Sequence, residues 1–311
     1  MDAKDTAVTV VCVASWNVDL IAHIAKPLRR GETQLANAFE RLPGGKGSNA
    51  AIAAARMGAQ VGLIARVGGD DFGQMGLDLW QREGIHHAHV VRGENEVNGT
   101  ALILVYADGD NSIAVYPGAG ANLTPDHVLA AQTMLASAKV VMASCEVPVQ
   151  ATQLAFEVAR QHGVLTLLNP APAIDIPDAL WSLVDVLTPN EEELLKLANK
   201  DTLDVAAEVL LSRGVGAVVV TLGAQGCALY RRQEAVIHIP GHVLTVQDTI
   251  GAGDTFTGAL AANLSIACEW PEALSLANAA AAMSTQAQGA VSAMPSRDQV
   301  QAWLARQPAH A

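Results

Sequence analysis

Short β-rich runs alternate with helical runs along most of this chain, and that rhythm constrains the fold more than any other feature. "VTVVCVAS" (8–15) precedes the small-residue helical run "NAAIAAARMGA" (49–59), which ends near Gly58. "VGLIARVG" (61–68) precedes "GQMGLDLWQREG" (73–84), whose apolar residues recur at helical spacing. Apolar strands separated by helices predict a parallel sheet with covering helices, because parallel neighbours need a crossover that a helix supplies. The rhythm returns from about residue 123, with strands expected at 139–144, 164–169, 184–190 and 217–223. "LLKLANKDTLDVAAEVLLSRG" (194–214) reads as a helical run ending at Gly214, a residue suited to the left-handed turn that closes a helix. The last third reads as Ala-rich helix.

The middle breaks the pattern. "TALILVYADGDNSIAVYPGA" (100–119) holds two β runs around Asp-Gly-Asp-Asn, a hairpin signal. Residues 19–45 read as extended segments interrupted by Pro and Gly. Together they predict a small β-sheet apart from the main body. Such a sheet is too small for a deep core of its own, so it is expected to act as a lid or an interface. No repeat, linker or second domain boundary is evident, and residues 1–311 read as a single domain.

Half of the 311 residues are apolar and only 4% are aromatic, which suits a large core built by close helix-on-sheet packing. The formal net charge of −12, with no long basic run, argues against nucleic-acid or anionic-membrane partners. Cys12, Cys145, Cys227 and Cys268 are far apart and form no CxxC pair, so neither a structural zinc nor a redox motif is expected. The first apolar run is too short for a membrane span and follows acidic residues, so it reads as a strand. A reducing cytoplasm is the expected compartment.

Three stretches carry candidate chemistry. In "DTIGAGDTFTGA" (248–259), a turn of small residues precedes a helix whose first amides point at whatever lies before them, which makes an anion site. A carboxylate beside such a site either caps the helix or serves as a general base, and the residues alone leave both readings open for Asp254. In "PGGKGSNAA" (43–51), adjacent glycines precede a helix, with Lys46 and Asn49 as donors; a glycine turn with a solvated lysine is the alternative. In "TPNEEEL" (188–194), Asn190 can cap a helix whose first turn is acidic, while Glu193 could reach a hydrated Mg²⁺. The "HHAH" cluster of His86, His87 and His89 follows a helix end and reads as a solvated loop.

This ordered set resembles the ribokinase (PfkB) family of sugar kinases. "SWNVD" (15–19), "GETQ" (31–34), "GGKGSNAA", "GDDFG" (69–73), "LNPAPA" (168–173), "TPNEEE", "TLGAQG" (221–226) and "DTIGAGDTFTGA" fall in the family's order over nearly the whole chain. The resemblance implies a ribokinase-like α/β fold, a three-layer α/β/α sandwich with a small β-sheet lid from about 17–44 and 97–119. It implies Asp254 as catalytic base and Gly251, Ala252 and Gly253 as the anion hole. Asn17, Asp19, Gly45, Lys46, Gly47, Asn49 and Glu146 match sugar-binding positions. Asn190, Thr221, Gly223, Gly226, Gly253 and Asn278 match the ATP site, and Glu193 the Mg²⁺ motif. Asp248, Ile250, Ser284, Ala287 and Gly289 match a potassium site, although Ala293 stands where ribokinases usually have a serine. Asp70 and Asp71 match a structural turn. Trp16 stands where a smaller aliphatic residue is common, and three readings stay open: it walls the pocket, packs beneath the lid, or narrows or shifts the sugar preference.

The implied activity is ATP-dependent phosphorylation of a sugar hydroxymethyl group, D-ribose to ribose 5-phosphate first. Fructose, deoxyribose or a nucleoside are the alternative substrates, and a sugar- or nucleotide-binding regulator is the alternative without turnover. A homodimer through the lid is expected.

Overall fold

The computed structural model describes residues 8–307. The chain runs β1 (Val10–Val13), β2 (Asn17–His23), β3 (Ala38–Gly44), α1 (Lys46–Arg56), β4 (Val61–Gly68), α2 (Asp71–Arg82), β5 (His86–Gly93), β6 (Gly99–Val105) and β7 (Asn111–Tyr116). It continues through α3 (Pro125–Leu129), α4 (Gln132–Ser137), β8 (Val140–Ser144), α5 (Val149–Gln161), β9 (Leu165–Asn169), α6 (Asp178–Trp181) and β10 (Val186–Leu187). The last part comprises α7 (Glu191–Ala198), α8 (Leu203–Ser212), β11 (Ala217–Thr221), β12 (Gly226–Arg231), β13 (Ile237–Pro240), α9 (Ala252–Leu264), α10 (Trp270–Ser284), α11 (Ala290–Ala293) and α12 (Arg297–Leu304).

The main sheet has the order β13-β12-β11-β10-β9-β8-β1-β4-β5. It is parallel from β5 to β11 and antiparallel only at the β11-β12-β13 edge. Strand periodicity sends Val10 and Cys12 of β1 into the core shared with α1, α2, α9, α10 and α12. Val11 and Val13 enter the opposite core, shared with α3 to α8. The expected three layers are therefore present. The chain fills the sheet on one side of β1 with β4 and β5 and on the other with β8 to β11. That reversal opens a crevice at the carboxyl ends of the strands, the usual ligand position in such sheets.

The expected second sheet also forms, in the order β3-β2-β6-β7. Its central strands β2 and β6 are parallel, and each is flanked by an antiparallel neighbour. β2 leaves β1 after only three residues, 14–16, so the two sheets share one stretch of backbone.

Several local expectations fail. His86, His87 and His89 lie in β5, an edge strand of the main sheet, and not in a loop; edge strands tolerate polar side chains that interior strands exclude. No group of three or more His, Cys, Asp or Glu among the described residues is placed to hold a metal ion. The helical run 194–214 is two helices, because Asn199 turns left-handed at φ 50° and closes α7. The strand expected over 184–190 is only β10, and the final third contains β12 and β13 before its helices. No described helix is long and apolar enough to cross a membrane.

Helices α1 and α9 lie side by side, made mostly of alanine and other small residues. A Cβ on Gly258 would run into the Ala50 carbonyl oxygen and lie 2.8 Å from the Ala53 Cβ. Gly258→Val is therefore expected to destabilise the fold by about 1–3 kcal/mol through overpacking. A denaturant midpoint equal to that of the unsubstituted protein would show that the two helices can separate freely.

Candidate active site

The joint between the sheets builds one wall of the crevice. Ser15 donates from Oγ to Glu146 Oε2 at 2.6 Å, and the Lys46 backbone N–H donates to the same oxygen at 2.8 Å. Ser15 Oγ also accepts from the Gly47 N–H at 3.1 Å. Glu146 follows β8, so a carboxylate from one strand end satisfies the first amide of α1, where the helix dipole favours negative charge. Gly45 has φ 93°, and a Cβ there would sit 2.8 Å from the Ser15 carbonyl oxygen. A Cβ on Gly47 would lie 2.6 Å from the Ala14 Cα. These two glycines thus give clearance to the chain's own backbone, a demand separate from ligand contact. Gly44 does the same for Asp19, whose carboxyl oxygen would be 2.5 Å from a Cβ at 44.

The α9 terminus supplies the opposite wall. Gly251 adopts φ 75°, and a Cβ there would meet that of Ala290 at 2.5 Å. Around Gly253, by contrast, a Cβ would find nothing within 4 Å. Gly251 is required by the protein, whereas Gly253 faces open space. The Ala252 N–H is used within the turn, on the Thr249 carbonyl at 3.2 Å, so it is engaged in a way the expected anion hole did not anticipate.

Between the walls, Asn49 Nδ2 donates to Asp254 Oδ2 at 2.9 Å, while the buried Asn49 Oδ1 lacks a partner. Asp254 is buried, and burial is the main reason its pKa is pushed up to about 6; Glu146 and Glu193 add to the rise, while Lys46 and the Asn49 bond oppose it. Asp19 is likewise raised to about 6, by burial first and then by Glu146 and Asp254. Burial pulls the Lys46 ammonium down, but Asp254, Glu146, Glu193 and Asp19 outweigh it and hold it above its ordinary value. Asn17 and Asp19 arrive on β2, in register with Gly44 and Leu42. Of the sugar-side residues expected from the sequence, Asp19, Lys46, Asn49 and Glu146 come together with Asp254, and Asn17 stands two residues before Asp19 on the same strand.

Of the expected nucleotide residues, Thr221, Gly223, Gly226, Gly253 and Asn278 line a neighbouring cavity of about 400 Å³, and Asn190 is not among its lining residues. Thr221, Gly223 and Gly226 border it from the β11–β12 turn, Ala252 and Gly253 from α9, and Asn278 from α10. Asn278 Nδ2 donates to the Pro240 carbonyl at 2.9 Å, so it braces the cavity as well as lining it. Asn190 and Glu193 bond each other in a capping box: the Asn190 N–H donates to Glu193 Oε2 at 2.9 Å, and the Glu193 N–H to Asn190 Oδ1 at 2.8 Å. Both the capping role and the proximity to the site hold, since the Glu193 charge is felt by Lys46 and Asp254.

Asp248 closes an Asx turn, with Oδ1 accepting from the Ile250 N–H at 2.9 Å. Its Oδ2 accepts from the Gly289 N–H at 2.8 Å, which ties the turn to the loop after α10. Ser284 donates from Oγ to the Ala281 carbonyl, and Ala287 is exposed. Ser292, next to Ala293, donates to the Gln288 carbonyl at 2.6 Å.

Ser15 and Gly44 lie inside the family motifs without an assigned role, and Asn98 lies outside them; the structure places all three at the joint between the sheets. Asn98 is buried beside the joint: its Oδ1 accepts from the Gly68 N–H at 3.2 Å, and its N–H donates to Asp70 Oδ2 at 2.8 Å. Asp70 also caps α2, so the expected structural role of that turn is present.

A family model described as pfkB family carbohydrate kinase matches residues 8–297. Ribokinase of Staphylococcus aureus (strain COL) is 35% identical over 298 residues, covering 94% of this chain and 98% of that protein. Deoxyribokinase of Salmonella typhi is 33% identical over 301 residues, covering 95% and 98%. The solved structure of Arabidopsis thaliana ribokinase complexed with ribose and ATP aligns with a TM-score of 0.90 and 30% identity, covering 97% of this chain and 100% of that one.

The raised Asp254 pKa has a consequence for stability. Below pH 4 the group is protonated folded and unfolded alike. From pH 4 to 6 only the unfolded chain ionises, so stability falls as pH rises, by about 3 kcal/mol in full for a shift of about two units. Asp254→Asn is expected to be more stable than the unsubstituted protein at pH 7.5, with the difference shrinking toward pH 4. Denaturation curves whose difference does not change with pH would refute this.

Proposed function

The chain belongs to the pfkB family of carbohydrate kinases, and we propose that it transfers the γ-phosphoryl group of ATP to the hydroxymethyl group of D-ribose. The observation that carries this reading is the buried Asp254, bonded to Asn49, at the boundary between the sugar-side wall and the cavity beside Gly253. Asp254 takes the proton of the sugar hydroxyl as that oxygen bonds to the γ-phosphorus and the bond to the departing ADP oxygen breaks. With a pKa of about 6, it is a stronger proton acceptor than an ordinary aspartate yet is largely ionised at neutral pH. The amides of the α9 terminus hold the transferred charge, with Gly253 allowing close approach and Gly251 making the turn beside Ala290. Asn17, Asp19, Lys46, Asn49 and Glu146 orient the sugar, with carboxylates accepting from its hydroxyls and Lys and Asn donating to them.

Magnesium needs few protein ligands because it keeps waters and binds phosphates, and the Glu193 carboxylate fits that limited role. When bound, it would neutralise charge on the phosphates. The linked turns at 248–250 and 284–289 offer oxygen donors to a monovalent cation: Asp248 and the carbonyls of Ile250, Ser284, Ala287 and Gly289. Such an ion would polarise the α9 turn. Ala293 contributes no side-chain oxygen, so the site would rely on Asp248 and the carbonyls.

The β2-β3-β6-β7 sheet is the lid. Ile113 and Val115 are exposed, and their register with Ile103 and Ala101 puts them on the sheet face that carries Asp19. A second copy covering that face makes a homodimer. Cys12, Cys145, Cys227 and Cys268 are all free. Trp16 is buried, with its indole N–H on the Phe72 carbonyl, so its ring is not free to stack on a nucleoside base.

A panel measuring ADP release over pentoses, deoxyribose, fructose and nucleosides, in K⁺ and in Na⁺, tests the reading. Ribose is expected to turn over fastest, faster in K⁺, and Asp254→Asn to lose at least about 10²-fold in kcat. Deoxyribose exceeding ribose would reassign the substrate, equal rates in both salts would remove the cation, and binding without ADP release would indicate a regulator. Sedimentation of the unsubstituted protein is expected to give a dimer and of Ile113→Glu a monomer; a monomer in both cases would exclude the lid interface.

A further inference from the structure

Trp16 stands in the three-residue link between β1 of the main sheet and β2 of the lid. It is almost fully buried, and its indole N–H donates to the Phe72 carbonyl at 2.9 Å. The ring meets the edge of Trp80 with centroids 5.6 Å apart and planes at 70°. It lies so close to α2 that a Cβ on Gly76 would sit 2.8 Å from the ring. The side chain is therefore fixed to the body at each edge.

The backbone of the same residue faces the site. A Cβ on Gly45 would be 2.9 Å from the Trp16 Cα, and Asn98 Nδ2 reaches the Trp16 carbonyl at 3.5 Å. Trp80 continues the connection, donating from Nε1 to the buried Ser48 Oγ at 2.8 Å. Ser48 is on α1, between Lys46 and Asn49. One aromatic pair thus braces both segments that present the sugar-side groups: Asn17 and Asp19 after the link, and Lys46 and Asn49 on α1.

We propose that Trp16 is a positioning residue for sugar binding, a post that fixes where β2 leaves the body and, through Trp80 and Ser48, holds the first turn of α1. This rests on the sugar-kinase reading for its kinetic form. The nucleotide cavity is bordered by β11, β12, α9 and α10, and neither Trp16 nor Trp80 is among its lining residues. Loss of the post should therefore act on sugar binding and spare ATP binding, since small misplacements of binding groups carry large kinetic costs.

Two substitutions approach the post from opposite sides. Trp16→Leu removes it, and Gly76→Ala pushes on the ring from a helix with no residue in the sugar wall. Each is expected to raise KM for ribose about tenfold while leaving KM for ATP within about twofold. A purely structural role would lower melting temperature and active fraction, hence apparent kcat, without moving KM for ribose. Gly76→Ala retains the ring and serves if Trp16→Leu does not fold. Hydrogen exchange supplies a readout independent of turnover: amides of 17–19 and 46–49 should exchange faster in either variant, while those of 221–226 stay unchanged. Ribose KM within twofold of the unsubstituted protein in the folded variants, or ribose and ATP KM rising together, would overturn the proposal. If the unsubstituted protein releases no ADP with any sugar, the sugar-kinase reading fails, and the exchange pattern alone decides whether Trp16 is the post.

Discussion

The hydrogen bond from Asn49 to Asp254 joins positions 205 residues apart, and the site depends on it. It forms because α1 and α9 approach closely, which alanines and Gly258 permit. It brings the amide-rich starts of two helices to one place. A carboxylate confined there loses its water and becomes costly to ionise, so the geometry that assembles the site also sets the base strength of Asp254. Packing, electrostatics and proposed chemistry meet in this one contact.

The surrounding charges moderate that cost without cancelling it. Lys46 lowers the proton affinity of both Asp19 and Asp254, and Asn49 lowers that of Asp254 further. Glu146 and Glu193 raise Asp254 again, though each is itself partly engaged: Glu146 by Ser15 and the Lys46 amide, Glu193 by the Asn190 amide. The carboxylates are thus held by protein donors on one side and left to influence the crevice on the other. An additional cationic ligand would find a charge already waiting for it.

Much of this was legible in the sequence. Alternating apolar runs specify the parallel sheet because strand and helix periods differ, and glycine pairs mark backbone turns. The motif residues Asp19, Lys46, Asn49, Glu146 and Asp254 do converge. What the sequence left hidden depends on long-range packing. The histidines of β5 resemble a loop until the neighbouring strand β4 supplies their hydrogen bonds. The break at Asn199 requires a left-handed backbone that a run of helix formers conceals. The duties of Gly251 and Gly253 also look alike in one dimension. Only the nearness of Ala290 to the first, and the open space around the second, separates them.

The central place of β1 carries a consequence for how the chain comes into being. This first strand must wait for β4 and then β8 before both its edges are paired. Its sequel α1 must wait for α9, late in synthesis. Contacts of such sequence separation make folding slow and leave apolar surface open in the interim. They also order events. A nascent chain that has not reached α9 has no carboxylate at position 254, so the site is assembled only after β1, the lid strands and α1 have all been made.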